Sequence, residues 1–173
     1  MNADQLRRHI RDVPDFPKPG VLFRDVTPLL LDPAALEAAV EALCEPFRGQ
    51  RVGRVLGIES RGFTLGTPVA LSLGVGFGLV RKAGKLPYKT HRVSYDLEYG
   101  TDTVEMHVDA VEPGQRVLIV DDLIATGGTA AAAVKLARKA GGQVIGCSFL
   151  IELTALGGRK LLDVDAIHAV IRY

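Results

Sequence analysis

Apolar positions along this chain follow two alternating rhythms. Arg54 to Ile58 and Val117 to Val120 are short, unbroken, β-branched runs, the pattern of strands buried on both faces of a parallel sheet. Val75 to Val80, Val144 to Leu153 and Ala166 to Tyr173 read as further strands. Between them the period changes. Residues 3 to 12 form a short amphipathic helix. Leu36, Val40, Leu43 and Phe47 fall four, three and four apart, one apolar stripe of a packing helix. Asp32-Pro33 supplies its start, an N-cap acid followed by proline in the first turn, and Gly49 its end. Phe63 to Leu73 is a small-residue helix interrupted by Pro68 and ended by Gly74. Ala130 to Ala140 is alanine-rich and stops at Gly141-Gly142, and Leu156 to Leu162 is short and helical. Strands alternating with helices predict an α/β fold with a mainly parallel central sheet flanked by helices.

Two stretches depart from this alternation. Residues 93 to 99 and 103 to 108 flank Gly100 and alternate with a period of two. Val104, Met106 and Val108 face one way and Thr103, Glu105 and His107 the other. They predict a β-hairpin projecting beyond the sheet. Near the amino end, Pro14, Pro17, Pro19 and Gly20 break regular structure. The segment PDFPKPGVLFRDVTPLL then reads as an extended wrap on the core, burying Val21, Leu22 and Phe23 and pairing Arg24 with Asp25.

Composition narrows the function classes. The 173 residues suffice for one domain with a full core, spanning 1–173. A net charge of +1 gives no strong pull toward nucleic acid or membrane surfaces. The longest apolar runs fall far below the roughly 20 residues of a membrane span. The start, MNADQLRRHIRD, lacks the apolar core of a secretory signal. Cys44 and Cys147 stand far apart with no CxxC or histidine spacing. They read as buried thiols of a reducing compartment, so a cytoplasmic location is expected. The four histidines show no metal-ligand spacing.

The chemistry sits where strands end. After Val117 to Val120 come Asp121 and Asp122, then Ala125-Thr126-Gly127-Gly128-Thr129 opening the alanine-rich helix. In an open parallel sheet, ligands bind outside the strand carboxyl ends. A loop of small residues lets backbone N–H groups close on a phosphate at a helix amino end. The loop is neither GxxxxGK[ST] nor GxGxxG. Two acids would repel a phosphate, so their use is to accept hydrogen bonds from sugar hydroxyls or to sit near a divalent cation. A second anion signal, Glu59-Ser60-Arg61-Gly62-Phe63, follows Ile58 and offers Arg61 as a charge-assisted donor. A third, Arg81-Lys82-Ala83-Gly84-Lys85, follows Val80. Three anion signals and one acidic pair describe a site for a sugar bearing a phosphate at each end.

The run VLIVDDLIATGGT resembles the signature of the phosphoribosyltransferases, ESRGF, RKAGKLP and SYDLEYGT before it resemble further loops of that family, and ATGGT and PKPGVLFRDVTPLL resemble its adenine-using branch. The resemblance runs from about Asp15 to Leu156. It implies transfer of the 5-phosphoribosyl group from phosphoribosyl pyrophosphate to adenine, giving AMP and pyrophosphate. Ala125 to Thr129 would hold the 5-phosphate, and Asp121 and Asp122 the ribose. Glu59, Ser60, Arg61, Arg81, Lys82 and Lys85 would form the pyrophosphate subsite, with a cis Glu59–Ser60 peptide and with Arg81 reaching across a homodimer interface. Phe23 would stack on the purine, with backbone groups near Leu22 and Arg24 reading its edge. The hairpin would be a hood over the strand carboxyl ends, with residues 82 to 108 as the lid region; in it Glu98 would exchange the purine proton, with Tyr99 beside it. Mg2+ would be carried by phosphoribosyl pyrophosphate and water, with no ligand directly from the protein. Two alternatives stand beside this reading. A 6-oxopurine transferase is disfavoured by the FRD segment. A regulator sensing the sugar pyrophosphate would need a nucleic-acid-binding extension or basic face, which the charge and length do not offer.

Overall fold

The structure is a computed structural model that describes residues 1–96 and 100–173. Its centre is a mixed sheet of seven strands. In chain order these are β3 (Arg54–Ile58), β4 (Gly76–Lys82), β5 (Thr90–Asp96), β6 (Thr101–His107), β7 (Arg116–Ile124), β8 (Gln143–Glu152) and β9 (Ile167–Arg172). Across the sheet they run β5-β6-β4-β3-β7-β8-β9. Five of them, from β4 to β9 in that order, are parallel neighbours, and the β5–β6 hairpin closes the edge antiparallel. A separate two-stranded sheet pairs β1 (Arg11–Pro14) with β2 (Leu22–Asp25).

The sheet is covered on both faces. Leu118 and Val120 of β7 join the core under α3 (Pro33–Cys44) and α4 (Arg61–Leu73), while Val117 and Ile119 join the core under α5 (Gly128–Lys139). Alternate residues of one strand thus serve two cores, which is why the run carries no polar face. Asp32 caps α3 by accepting from the amides of Ala34 and Ala35 at 2.9 and 3.0 Å. Cys44 and Cys147 are buried and unpaired with each other.

Several expected boundaries move, each for a local reason. The first helix, α1 (Ala3–Arg7), opens with an Asn2–Gln5 capping box and ends at Arg7, short of the expected residue 12. Residues 11–14 leave it to pair with β2, so Arg24 bonds Asp12 across that small sheet and Asp25 faces Arg11 at 3.7 Å. Arg24 and Asp25 are therefore not partners, and Leu22 is exposed rather than buried. Thr27–Leu31, read as part of the extended wrap, is a short helix, α2. Pro68 lies inside α4 without interrupting it, since Leu65, Val69 and Ala70 are buried on either side and outweigh one missing N–H. The segment after Leu153 forms two 3-10 turns, Thr154–Leu156 and Gly158–Leu161, in place of one short helix.

Two shifts reach the site. β4 runs on through Arg81 and Lys82, and β7 through Asp121 and Asp122, because each has a neighbouring strand to pair with at that point. The hairpin does not stand clear of the sheet: β6 pairs with β4 at Arg81↔Glu105 and Lys82↔Val104. Among the described residues no helix is long and apolar enough to cross a membrane.

Candidate active site

β3 and β7 are parallel neighbours, paired at Gly57↔Val120, so the loops that follow them emerge side by side. Between them lies a cavity of about 210 Å³, lined by Ile58 to Arg61 and by Asp121 to Ala130. A second cavity of about 300 Å³ shares Ile58, Glu59 and Thr129 and extends to Arg81, Lys82, Tyr95 and Asp102. Two of the three anion signals thus meet the acidic pair in one cavity, and the third opens beside it. The peptide between Glu59 and Ser60 is cis.

The Ala125–Thr129 loop is shaped by close backbone approach. Gly127 has φ +86°, and a Cβ there would overlap the Gly158 carbonyl oxygen. Gly158 in turn donates its amide to Ala125 O at 3.1 Å. The 157–158 turn therefore backs the phosphate loop. It is held by Arg159, whose guanidinium grips Glu152 through Nε and Nη2 at 2.9 and 2.6 Å and bonds Ile167 O.

The acidic pair is electrostatically unsettled. Asp121 Oδ1 accepts the Asp122 amide at 2.9 Å. Asp122 Oδ2 is buried and accepts no hydrogen bond, although Arg61 Nε stands 2.9 Å away as an ion-pair partner without donor alignment. Burial, and next the Asp122 charge beside it, push the Asp121 carboxyl well above the ordinary carboxylate range. Burial also raises Asp122, against the pull of Arg61. A site with two raised carboxylates and one orphaned oxygen is built for hydrogen-bond donors or positive charge.

At the cation loop, Glu59 gathers what the sequence scatters. Its carboxylate accepts from Arg81 Nε at 3.0 Å, the Lys82 amide at 3.1 Å and Lys85 Nζ at 2.8 Å. Burial raises Glu59, but Lys85, the Lys82 amide and Arg81 outweigh it and hold the carboxyl below its ordinary value. Lys82 Nζ faces Asp102 at 3.3 Å. From Asp102 a chain of polar contacts runs to Tyr95 OH at 3.4 Å and on to Thr129 Oγ1 at 3.0 Å. The hood hairpin is thereby tied to both the cation loop and the phosphate loop.

Phe23 and Arg24 lie on the small sheet. Arg61 Cζ sits 4.9 Å above the Phe23 ring and Phe16 packs its edge against it at 5.1 Å. Arg24 stacks its guanidinium 3.8 Å from the Tyr173 ring centroid and so points away from Arg61. Glu98 and Tyr99, expected in the hood, lie outside the described residues. Sequence reading missed Tyr95, Asp102, Glu105 and Gly158. Glu105 was set on a strand face with Thr103 and His107, yet it is fully buried. Period alone could not show that both faces of β6 are covered at that position. Tyr95 lies in the quoted SYDLEYGT run, and its aromatic ring beside polar neighbours was the available signal.

A doubly covered α/β sheet with small-residue and cationic loops at its strand ends, around an acidic pair, matches the phosphoribosyl transferase domain family over residues 33–169, and the chain belongs to that family. Within it the chain stands with the adenine phosphoribosyltransferases. It is 60% identical over 161 residues to the adenine phosphoribosyltransferase of Thermobifida fusca, covering 92% of each chain. The solved structure of the Rhodothermus marinus adenine phosphoribosyltransferase superposes with a TM-score of 0.93 at 57% identity, covering 99% of this chain and 98% of that one. The Saccharomyces cerevisiae enzyme, solved with an imino-altritol 1,6-bisphosphate and adenine, superposes with a TM-score of 0.92 at 39% identity over 97% of both chains.

Proposed function

We propose that this chain transfers the 5-phosphoribosyl group of phosphoribosyl pyrophosphate to adenine, releasing AMP and pyrophosphate. The observation that carries the reading is the buried Asp122 Oδ2 without a hydrogen bond, beside the raised Asp121 and under a small-residue phosphate loop. Ribose hydroxyls supply the donors that oxygen lacks. A sugar gaining positive charge is also the partner two crowded carboxylates favour. Support comes from the yeast relative, solved with adenine and a bisphosphate of an imino sugar.

In the reaction, a ring nitrogen of adenine attacks the anomeric carbon. The bond from that carbon to the pyrophosphate oxygen breaks, and its electron pair leaves with pyrophosphate. Ala125 to Thr129 hold the 5-phosphate through amides at the start of α5. Asp121 and Asp122 hold the ribose and favour the cationic ring. Arg61, Arg81, Lys82 and Lys85 exchange carboxylate partners for phosphate oxygens. Glu59 is then the counterion that keeps the cations in place between turnovers. Glu98 takes the proton the purine must lose. Phe23 offers a ring for the purine, with backbone near Leu22 and Arg24 reading its edge.

Among the described residues no cluster of three or more acidic, histidine or cysteine side chains could cage a metal. The acidic pair fits instead beside a magnesium ion that substrate oxygens and water carry. Such an ion neutralises the leaving pyrophosphate. The working unit is a homodimer of cytoplasmic enzyme, with Arg81 serving the neighbouring site, as the resemblance implies.

One assay tests the reading. The protein, phosphoribosyl pyrophosphate and magnesium are incubated with each purine base, and nucleotide formation is followed. AMP is the expected product. Equal or faster turnover of hypoxanthine or guanine would overturn the assignment of adenine.

A further inference from the structure

β6 carries a carboxylate that the reaction does not use. Glu105 is fully buried, yet it lies opposite Arg81 in the β4–β6 register, at the root of the cation loop. Its Oε1 accepts three consecutive backbone amides, those of Gly84, Lys85 and Leu86, at 3.0, 3.1 and 3.1 Å. Its Oε2 accepts from Arg92 Nε at 3.0 Å and Thr90 Oγ1 at 3.3 Å. Burial alone would raise this carboxyl, but the amides and Arg92 outweigh it and keep the group ionised. Three successive amides converging on one anion form a nest, and a nest needs a residue in the left-handed region. Gly84 supplies it at φ +85°.

We propose that Glu105 is a positioning residue of the pyrophosphate subsite. It is an internal anion around which the 82–86 loop folds, so that Lys82, Lys85 and Arg81 converge before pyrophosphate arrives. The two carboxylates of this region divide the work. Glu59 holds the Arg81 and Lys85 side chains and must release them to the ligand. Glu105 holds the backbone, has no exposed oxygen and stays in place. The amides of the third anion motif therefore do not face substrate; they are consumed internally, and only its side chains remain for the leaving group. This inference rests on the proposed function, since it assumes that the loop receives pyrophosphate.

The test compares ligands that use different ends of the site. Dissociation constants for magnesium pyrophosphate and for ribose 5-phosphate are measured by calorimetry on the wild-type dimer or monomer as it exists in solution. Glu105→Gln keeps the side-chain volume but removes the charge and leaves one acceptor oxygen where two are used, so either the three amides or Arg92 and Thr90 face an NH2 donor. Gly84→Ala leaves the core untouched, as its Cβ would meet nothing within 4 Å, and penalises only the left-handed backbone. Both variants should bind pyrophosphate about tenfold more weakly, the loss of a charge-assisted contact, with ribose 5-phosphate within about twofold of wild type. The Gly84→Ala protein should melt close to wild type, and it carries the test alone if Glu105→Gln does not fold. Pyrophosphate affinity unchanged in Gly84→Ala, or equal weakening of both ligands, would overturn the assignment. A wild-type protein that binds neither ligand would instead overturn the function on which it rests.

Discussion

At the scale of the residue, the candidate site stores unfavourable electrostatics in its acidic pair. Asp121 and Asp122 are both raised, Asp121 by burial and then by its neighbour's charge. For an acid whose folded value lies above its unfolded one, the folded state favours the neutral form. Its stabilising effect is full below the ordinary carboxylate range and is lost as pH rises through the folded value. Above the ordinary carboxylate range the pair therefore costs stability, because the unfolded chain ionises these groups more readily than the folded one. Asp121→Asn keeps the acceptor that the Asp122 amide uses and removes the charge. Its melting temperature should exceed wild type by about 2–4 °C at pH 7 to 8, the shift that 1 kcal/mol gives in a chain of this size. The gain should vanish at low pH, where Asp121 is already neutral. Thermal melts across pH check this; a melting point below wild type at pH 8 would refute the electrostatic account. The same variant should bind phosphoribosyl pyrophosphate more weakly, because a carboxylate acceptor for a ribose hydroxyl is gone. The adjacent acids were plain in the sequence, since no buried turn explains two of them. Their strain was not, because it depends on how deeply the fold buries them beside one another, which Arg61 offsets only in part.

At the scale of the element, the longer strands and helices were legible because they show their period, and β3 was read to the residue, whereas the short β1, β2 and α2 were not. What escaped was where pairing extends an element. Asp121 and Lys82 look like loop residues in isolation, and only β8 and β6 beside them make them strand. Glu105 escaped for the same reason: its burial comes from a loop packed on it, which no local pattern encodes. The contact from β5 to α5 is a further case. Tyr95 OH bridges Asp102 and Thr129, so the hood, the Lys82 strand and the phosphate loop share one polar chain. If, as proposed, a 5-phosphate oxygen accepts a hydrogen bond from the Thr129 hydroxyl, Tyr95 OH can donate to Thr129 Oγ1 and hold that rotamer. Tyr95→Phe keeps the packing and deletes the link. The KM for phosphoribosyl pyrophosphate should rise by about three- to tenfold, the range of one neutral hydrogen bond, with the adenine KM unchanged. Steady-state kinetics with each substrate varied decides it, and parallel rises in both KM values would point to general damage. At the phosphate loop itself, Gly127→Ala should abolish 5-phosphate binding and lower the melting temperature, since left-handed backbone and the Gly158 carbonyl both exclude a methyl group.

At the scale of the molecule, the cationic side chains of the candidate site are self-neutralised: Arg81 and Lys85 rest on Glu59, Lys82 on Asp102 and Arg61 on Asp122. This explains why a chain of net charge +1 can carry a site for a doubly phosphorylated sugar. It also sets the condition for a shared site. Within one chain Arg81 donates to Glu59 and to Lys85 O. To serve a neighbouring subunit it must leave that pair, while Lys85, with its own bond to Glu59, keeps the carboxylate occupied. Loss of Arg81 should then cost activity without unfolding the loop that bears it. If Arg81 acts across a subunit boundary, Arg81→Ala and Asp122→Asn homodimers are each impaired, but their hybrid contains one site with both an intact acidic pair and an intact donated arginine. Mixing the two variants under conditions where subunits exchange should restore activity toward the fraction of hybrids formed, up to about half of the wild-type sites per hybrid. Light scattering on the wild type checks that a dimer exists, and differentially tagged subunits measure exchange. Exchanged hybrids with no more activity than the mean of their parents would place Arg81 in its own subunit's site, where its bond to Glu59 already holds it.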